Sequence, residues 1–433
     1  MSELKLGVRQ IFDHLALPLL PLVQELGLKG IPFDAGVRDE NVRSIQARLM
    51  DIDARLMAAG ISNPNSTKRL NEDLLRLGVP LSKKTASGNQ YTVDLDVLGR
   101  IHHNYNVNLK APKYPFLPDL ITRKRLEKAR ANLESLRPCK DSKLRTALRS
   151  TGTETGRYSS SGLRWCNVCQ EPNHGTNLQN IGKNNKELGV NVKDCFVAPP
   201  GYVFWEIDYS MLELRLMAHI AGVSKLIERM ETPGIDVHTA NTHALFDGRY
   251  SDALRTLAKN FFYALQYGGS EQAIQMALAK KGEYLDQEYI RSLMLKIYIE
   301  YPEIALWQQQ VTAECTRLTK LGLPRIARNA YGGCRILLGA DPTKEWLSTV
   351  VQGTAAYTMS FALRRMDEGT RRPLIANIHD AFLGLSPEAT WREDMQAVMD
   401  EMTRPIWIMD KFVKLPADAK MGPTWSQMKA VEE

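Results

Sequence analysis

The stretch 202–219, YVFWEIDYSMLELRLMAH, leaves the chain little structural choice. Val203, Trp205 and Ile207 alternate with Phe204, Glu206 and Asp208, a period of two that predicts a strand with a carboxylate at its end. Ser210 and Glu213 have the spacing of a capping box. A helix is therefore expected to begin there, with Leu212, Leu216, Met217 and Ile220 as its apolar face. A carboxylate at a strand end, beside a helix N-terminus, can hold a cation and an anionic ligand together. An ordinary solvent-facing aspartate fits the same pattern, so the rest of the chain has to decide.

A length of 433 residues is too much for one ordinary core and implies two or three subdomains. With 44% apolar and 24% charged residues the chain reads as globular and soluble, and a net charge of +7 favours an anionic partner. Six cysteines without regular spacing point to a reducing compartment and to no disulfide framework. The apolar run LALPLLPLVQELGL is broken by Pro18 and Pro21, so it is expected to be too short and interrupted to span a bilayer. No signal pattern precedes it, and the expected location is cytoplasmic, in a bacterial or phage-infected cell, with no membrane partner.

Taken in order, residues 1–36 read as a short helix and an extended piece, and a long helix is predicted over Val37 to Ala59. Asn65 or Ser66 can cap a short helix that carries Lys68 and Arg69 in its first turn. A polar loop follows with Lys83 and Lys84, then a helix with Arg123, Lys124, Arg125 and Lys128. Such residues suit contacts to a phosphate backbone. The Gly-, Ser- and Asn-rich segment 151–182 is expected to be largely loop. It presents Arg157 and the amides of Asn177, Gln179 and Asn180, groups that can read base or sugar edges. Cys166-x-x-Cys169 with His174 begins like a zinc knuckle, but Gln179 stands where a fourth ligand would be, so no zinc is expected.

The second strong signal is DALRTLAKNFFYALQYGGS. Arg255, Lys259, Tyr263 and Tyr267 recur every four residues and form one stripe on a predicted helix that Gly268 and Gly269 end. Two cations and two aromatics in a row can bind a triphosphate and stack a base. Asp236-Val-His238-Thr leads into another helix, and residues 271–345 are expected to be mostly helical, with GLPRIARNAYGGC as a loop. A helix is predicted to start at Gln352, Gly353 and Thr354. PLIANIHDAFLGL reads as a tight hairpin with Asp380 at its tip.

Asp208 and Asp380 thus fall on elements that can pair in one sheet, which is what a two-metal site requires. Two divalent ions about 3.5–4 Å apart clamp the attacking and leaving oxygens of an in-line phosphoryl displacement. Two Mg2+ ions suit such a site because they take the remaining oxygens from phosphate and water. Arg255 and Lys259 would neutralise charge on a leaving pyrophosphate. Neither a P-loop nor a dinucleotide-binding glycine fingerprint is present.

The series TGRYSS, NLQNI, DYSMLELR, DVHT, RTLAKNFFYALQYGG, VQGTAA and IHDA, in this order, resembles the polymerase domain of family A (polymerase I type) DNA polymerases over nearly the whole chain. The resemblance implies an α+β right hand with an antiparallel-sheet palm and mostly helical fingers and thumb. The implied division is 1–36 as a palm-associated segment, 37–137 thumb, 138–213 palm, 214–345 fingers and 346–433 palm. Asp208 and Asp380 would bind the metals, with the carbonyl of Tyr209 as a further ligand. Arg255, Lys259 and His238 would hold the deoxynucleoside triphosphate, Tyr263 would lie beside its sugar, and Tyr267 near the templating base. Glu213 would crowd the 2′ position, and Arg157, Asn177, Gln179, Gln352 and His379 would contact primer–template DNA, with Lys68, Arg69, Lys83 and Lys84 along the thumb.

The expected activity is DNA-directed DNA synthesis by a monomer that carries no 3′–5′ exonuclease, with a separate exonuclease or processivity factor as a further partner. A catalytically inactive primer–template-binding protein on the same scaffold is the alternative. Glu213 argues against a single-subunit RNA polymerase. Three positions depart from the family's usual residues. Ala381 replaces the glutamate of His-Asp-Glu, Met211 a glutamine, and Ala264 a glycine.

Overall fold

The computed structural model describes residues 7–82, 84–85, 88, 90–107, 111–150, 152–181 and 188–432. Lys83 lies outside the described residues. A five-stranded antiparallel sheet joins two apolar cores, with helices on both sides.

The chain opens with a helical run from Val8 through a wider π-turn at Phe12–Ala16 into α1 (Leu17–Lys29). Pro18 falls in the first turn of α1 and Pro21 inside it, so the prolines do not interrupt the run as the sequence suggested. By length and composition the helical run Arg9–Lys29 could cross a bilayer. In the fold, Leu15, Leu19, Val23 and Leu26 are buried in the larger core.

Helices α2 (Ala35–Ala58), α3 (Thr67–Arg76) and α4 (Leu117–Glu134) build the second core. Asp34 caps α2 by accepting from the amides of Gly36 and Val37, and Ser66 caps α3 through the amide of Arg69. Arg123 on α4 is not a surface cation. It is buried and held by Asp53 at 2.5 Å and Asn65 at 2.7 Å, because the face it occupies turns toward α2.

The segment expected to be loop contains a hairpin, β1 (Leu163–Cys166) and β2 (Glu171–His174). Next come β3 (Tyr202–Tyr209) and α5 (Leu212–Ala221), as the strand-to-helix pattern predicts. The helical region comprises α6 (Val237–Leu245), α7 (Asp252–Leu265), α8 (Gln287–Glu300), α9 (Pro302–Lys320) and α10 (Pro342–Arg365). Within it, GLPRIARNAYGGC holds a short hairpin rather than a plain loop, Ile326–Arg328 with Cys334–Ile336. Gln352 lies inside α10, not at its start, because the helix is capped eleven residues earlier by Asp341. The rest is β4 (Leu374–Ile378), β5 (Ala381–Pro387), α11 (Trp391–Met402), β6 (Ala417–Gly422) and β7 (Lys429–Ala430).

The sheet order is β4-β5-β3-β6-β7, every pair antiparallel. Both faces of β3 are covered. Trp205, Ile207 and Tyr209 enter the larger core with α5 and α10, while Phe204 enters the second core. The strand is thereby fixed in register, since a slip of one residue would exchange its two faces.

Candidate active site

The two predicted carboxylates come together at one end of this sheet. The β4–β5 hairpin turns on His379 and Asp380, with His379 in the left-handed region at φ 54°. The amide of Tyr209 donates to the carbonyl of Asp380 at 3.2 Å. Tyr209 is itself anchored, because its buried hydroxyl donates to the carbonyl of Met402 at 2.6 Å. The side chain of Gln179 clamps the hairpin tip. Its amide nitrogen donates to the carbonyl of Asn377 and its oxygen accepts from the amide of His379, both at 2.8 Å. Burial raises the Asp380 carboxyl above the ordinary carboxylate range, against the opposing pull of Arg157 and His379.

Asp208 is exposed at the end of β3. Its register partners are Ala381 on one side and Asp418, on β6, on the other. Directly opposed residues of an antiparallel pair share a face, so Asp208 and Asp418 set like charges side by side. Such a pair is unfavourable without a cation nearby. The hydroxyl of Ser210 donates to Asp418 at 2.5 Å. Sequence reasoning missed Asp418, which only strand register brings to Asp208.

The capping box does not form. Met211 occupies the N-cap position of α5 in the left-handed region, at φ 54°, and makes no side-chain cap. Ser210 is turned to Asp418, and Glu213 is released to bridge two other predicted site residues. It forms an ion pair with Arg157 and accepts from the hydroxyl of Tyr267. Gln352 hydrogen-bonds the same hydroxyl, whose phenol is lifted to about 12 by burial. Arg157, Glu213, Tyr267 and Gln352 are thus one network.

Arg255, Lys259 and Tyr263 do lie along α7, but the helix ends at Leu265 and Tyr267 stands in the following turn, before Gly268 at φ +67°. Burial raises the Tyr263 phenol, and the negative charges of Asp380 and Asp208 raise it further. Arg255 is paired with Asp236 at 2.7 Å. Asp236 also caps α6, accepting from the amide of His238 at 3.1 Å and from the hydroxyl of Thr239 at 2.7 Å. His238 is buried, with its Nδ1 unpartnered, and its ring centroid is 6.4 Å from that of Tyr263. Burial lowers its pKa to about 4, and the positive charges of Lys259 and Arg255 add to the effect, so the ring is neutral at pH 7.

The remaining predicted residues stand elsewhere or do other work. Asn177 accepts from Ser160 at 2.7 Å, and the same serine oxygen accepts from the amide of Gln179. Lys68 and Arg69 are exposed on the first turn of α3, where Arg69 meets Glu72 at 3.3 Å. Lys84 is exposed and bridges to Tyr91.

The family model described as DNA polymerase family A matches residues 39–427. DNA polymerase I of Chloroflexus aurantiacus is 27% identical over 98% of this chain and 44% of its own length. DNA polymerase I of Geobacillus stearothermophilus is 25% identical over 99% of this chain and 47% of its own. The chain spans less than half the length of these relatives. The POL domain of Pol1 from M. smegmatis, solved with DNA primer-template and dNTP, superposes with a TM-score of 0.79 at 23% identity, covering 96% of this chain and 71% of that one. That likeness gives the fold: α+β, a right-hand polymerase with an antiparallel-sheet palm and mostly helical fingers and thumb. By the extent of the family match, this chain belongs to DNA polymerase family A.

Proposed function

We propose that the chain is a DNA-directed DNA polymerase that adds deoxynucleotides to a primer 3′-OH under the direction of a template. The observation that carries this reading is the juxtaposition of Asp208 and Asp380 at one sheet end, joined through Tyr209, with the charge of both felt by Tyr263 on the helix that also bears Arg255 and Lys259.

The donor set fits divalent cations. Two exposed like charges are opposed at Asp208 and Asp418, a half-buried carboxylate stands beside them, and all the donors are hard oxygens. Two magnesium ions held by Asp208, Asp380 and the carbonyl of Tyr209 would supply charge stabilisation at the attacking and leaving oxygens. The protein's own groups do the rest. Arg255 and Lys259 bind the triphosphate as fixed cations, and neutral His238 offers it a hydrogen bond. Tyr263 lies beside the sugar, Tyr267 near the templating base, and Glu213 closes the space at the 2′ position. Arg157, Gln352 and His379 face the primer–template. Asn177 and Gln179 act behind them, by holding the loop and the hairpin tip.

In this reading residues 1–36 are a palm-associated segment, 138–213 and 346–433 palm, 37–137 thumb and 214–345 fingers. Lys68, Arg69 and Lys84 belong to the thumb's approach to the duplex. On the same reading the chain supplies the polymerase activity as a cytoplasmic monomer, with a separate exonuclease or processivity factor as a further partner. Primer extension with magnesium on matched and mismatched primer ends tests this. Growth of the matched end, abolished by Asp208→Ala, with the mismatched end untrimmed, supports the reading. A matched primer that binds and never grows would leave the inactive DNA-binding alternative.

A further inference from the structure

Cys166 ends β1 and is fully buried, Cys169 stands in the turn, and His174 ends β2. The expectation of no zinc counted Gln179 as the fourth position, but the Gln179 side chain is bonded to the backbone of the β4–β5 hairpin. A different residue joins the set. Cys139 follows α4 in a tight turn, in which its amide donates to the carbonyl of Lys143 at 2.9 Å and its carbonyl accepts from Ser142 at 3.0 Å. The sulfurs of Cys139 and Cys166 are 3.5 Å apart. Ligand atoms of Cys139, Cys169 and His174 lie within 4.8 Å of one another.

A tetrahedron with zinc–sulfur bonds of about 2.3 Å has edges of about 3.8 Å. Three of the four ligand atoms are already close to that spacing. Cys166 touches Cys139 and Cys169 but stands outside the set of three, so it has to rotate toward His174 to complete the tetrahedron. We infer that Cys139, Cys166, Cys169 and His174 form a closed structural zinc site that ties the β1–β2 hairpin to the root of α4.

Hydrogen-bond donors face two of the sulfurs. The amides of Val168 and Cys169 are directed at the sulfur of Cys166, and the side chain of Arg145 donates to Cys139. Arg145 and Lys140 stand beside the set, paired with Asp141 and Glu171 respectively. His174 Nδ1 is 3.1 Å from the carbonyl of Pro138, which can only accept, so a ring bound to a metal through Nε2 would carry its proton at Nδ1. Nε2 is 3.0 Å from Glu171, and that carboxylate also pairs with Lys140, so it keeps a partner when the nitrogen turns to a metal.

The hairpin also needs a fastening. Its strands bury only Cys166 fully, Trp165 is 50% exposed, and a two-stranded hairpin is marginal by itself. One main-chain bond, from the amide of Gly175 to the carbonyl of Arg137 at 2.8 Å, joins it to the Arg137–Cys139 strap. Soft sulfur donors with one imidazole select zinc, and four protein ligands leave no open position for a substrate.

The test is the metal content of the untagged chain, purified under reducing conditions and measured by plasma mass spectrometry, followed by exchange with Co2+ and its absorption spectrum. About one zinc per chain is expected, with sulfur-to-cobalt charge-transfer bands and the strong visible bands of a tetrahedral ion. Cys169→Ser and His174→Ala should each lose zinc, while Cys334→Ser, at an exposed cysteine, should retain it. If the ligand variants do not fold, the cobalt spectrum of the unaltered chain decides. Absence of zinc with six titratable thiols would overturn the inference, as would a Cys139–Cys166 disulfide in the metal-free chain or equal zinc in the Cys169 and Cys334 variants.

Discussion

The main-chain N–H of Tyr209 donates to the carbonyl of Asp380 at 3.2 Å, so the end of β3 and the tip of the β4–β5 hairpin are one rigid unit. Neither aspartate can shift along its strand without breaking that bond and the register beside it. Asp208→Ala or Asp380→Ala is expected to lower primer extension by about a thousandfold or more, with primer–template affinity changed by less than about threefold. Single-turnover extension and filter binding on the same preparations check this. Equal losses in both would mean that the aspartates serve DNA binding instead.

Gln179 makes both of its side-chain bonds to the hairpin backbone rather than to anything outside the protein. Gln179→Ala should therefore act on chemistry and not on grip. We expect kcat to fall by about tenfold to a hundredfold, the cost of misplacing a reacting group, with little change in DNA affinity. A change confined to DNA affinity would return Gln179 to the direct DNA contact that the sequence suggested.

Glu213 holds Arg157 and Tyr267 together, so its two proposed properties, bulk and charge, are separable. Glu213→Ala should admit ribonucleotides. Glu213→Gln keeps the volume and should still exclude them, while loosening Arg157. If both variants incorporate ribonucleotides equally, bulk is not the basis of the exclusion.

The Tyr263 phenol feels the negative charge of both Asp380 and Asp208, the proposed metal ligands. Its hydroxyl can replace the hydrogen bond a dideoxynucleotide lacks. Tyr263→Phe is expected to raise discrimination against dideoxynucleotides by at least about tenfold. Competition between the two nucleotides in a single extension reaction measures it, and an unchanged ratio would remove Tyr263 from the sugar site.

His238 is held neutral by burial and by the cations on α7, with its pKa lowered to about 4 from the ordinary 6.5. The folded state binds this proton less readily than the unfolded state does. The contribution to stability is therefore complete above about pH 6.5 and is lost progressively as the pH falls toward 4. His238→Gln should flatten that part of the stability curve. Chemical denaturation at pH 7.5 and pH 5 compares the two, and parallel losses would show that the histidine is not responsible.

The elements that carry chemistry were legible where local pattern and position coincide. Strand β3 followed from its period of two, and the His379–Asp380 turn from apolar runs on either side of it. What failed did so through tertiary competition. Ser210 gave up its capping role because Asp418 offers its hydroxyl a charged acceptor, and α5 starts instead at a left-handed Met211. Arg123 reads as a surface cation until α2 supplies Asp53. The period of four ran past the real end of α7, since spacing alone cannot distinguish a helical Tyr267 from one in the next turn. Cys139 was invisible because its partners lie on the far side of two turns, beyond any motif spacing.

The ion pair between Arg255 and Asp236 means that a phosphate group reaching α7 finds no vacant guanidinium. Asp236 occupies only the Nε–Nη2 edge, so an anion arriving there either displaces the carboxylate or shares the arginine through its remaining donors. In the proposed reading a triphosphate would compete with Asp236 for the arginine that holds the capping carboxylate of α6. Ligand capture on one helix would then be felt at the first turn of its neighbour, where His238 sits.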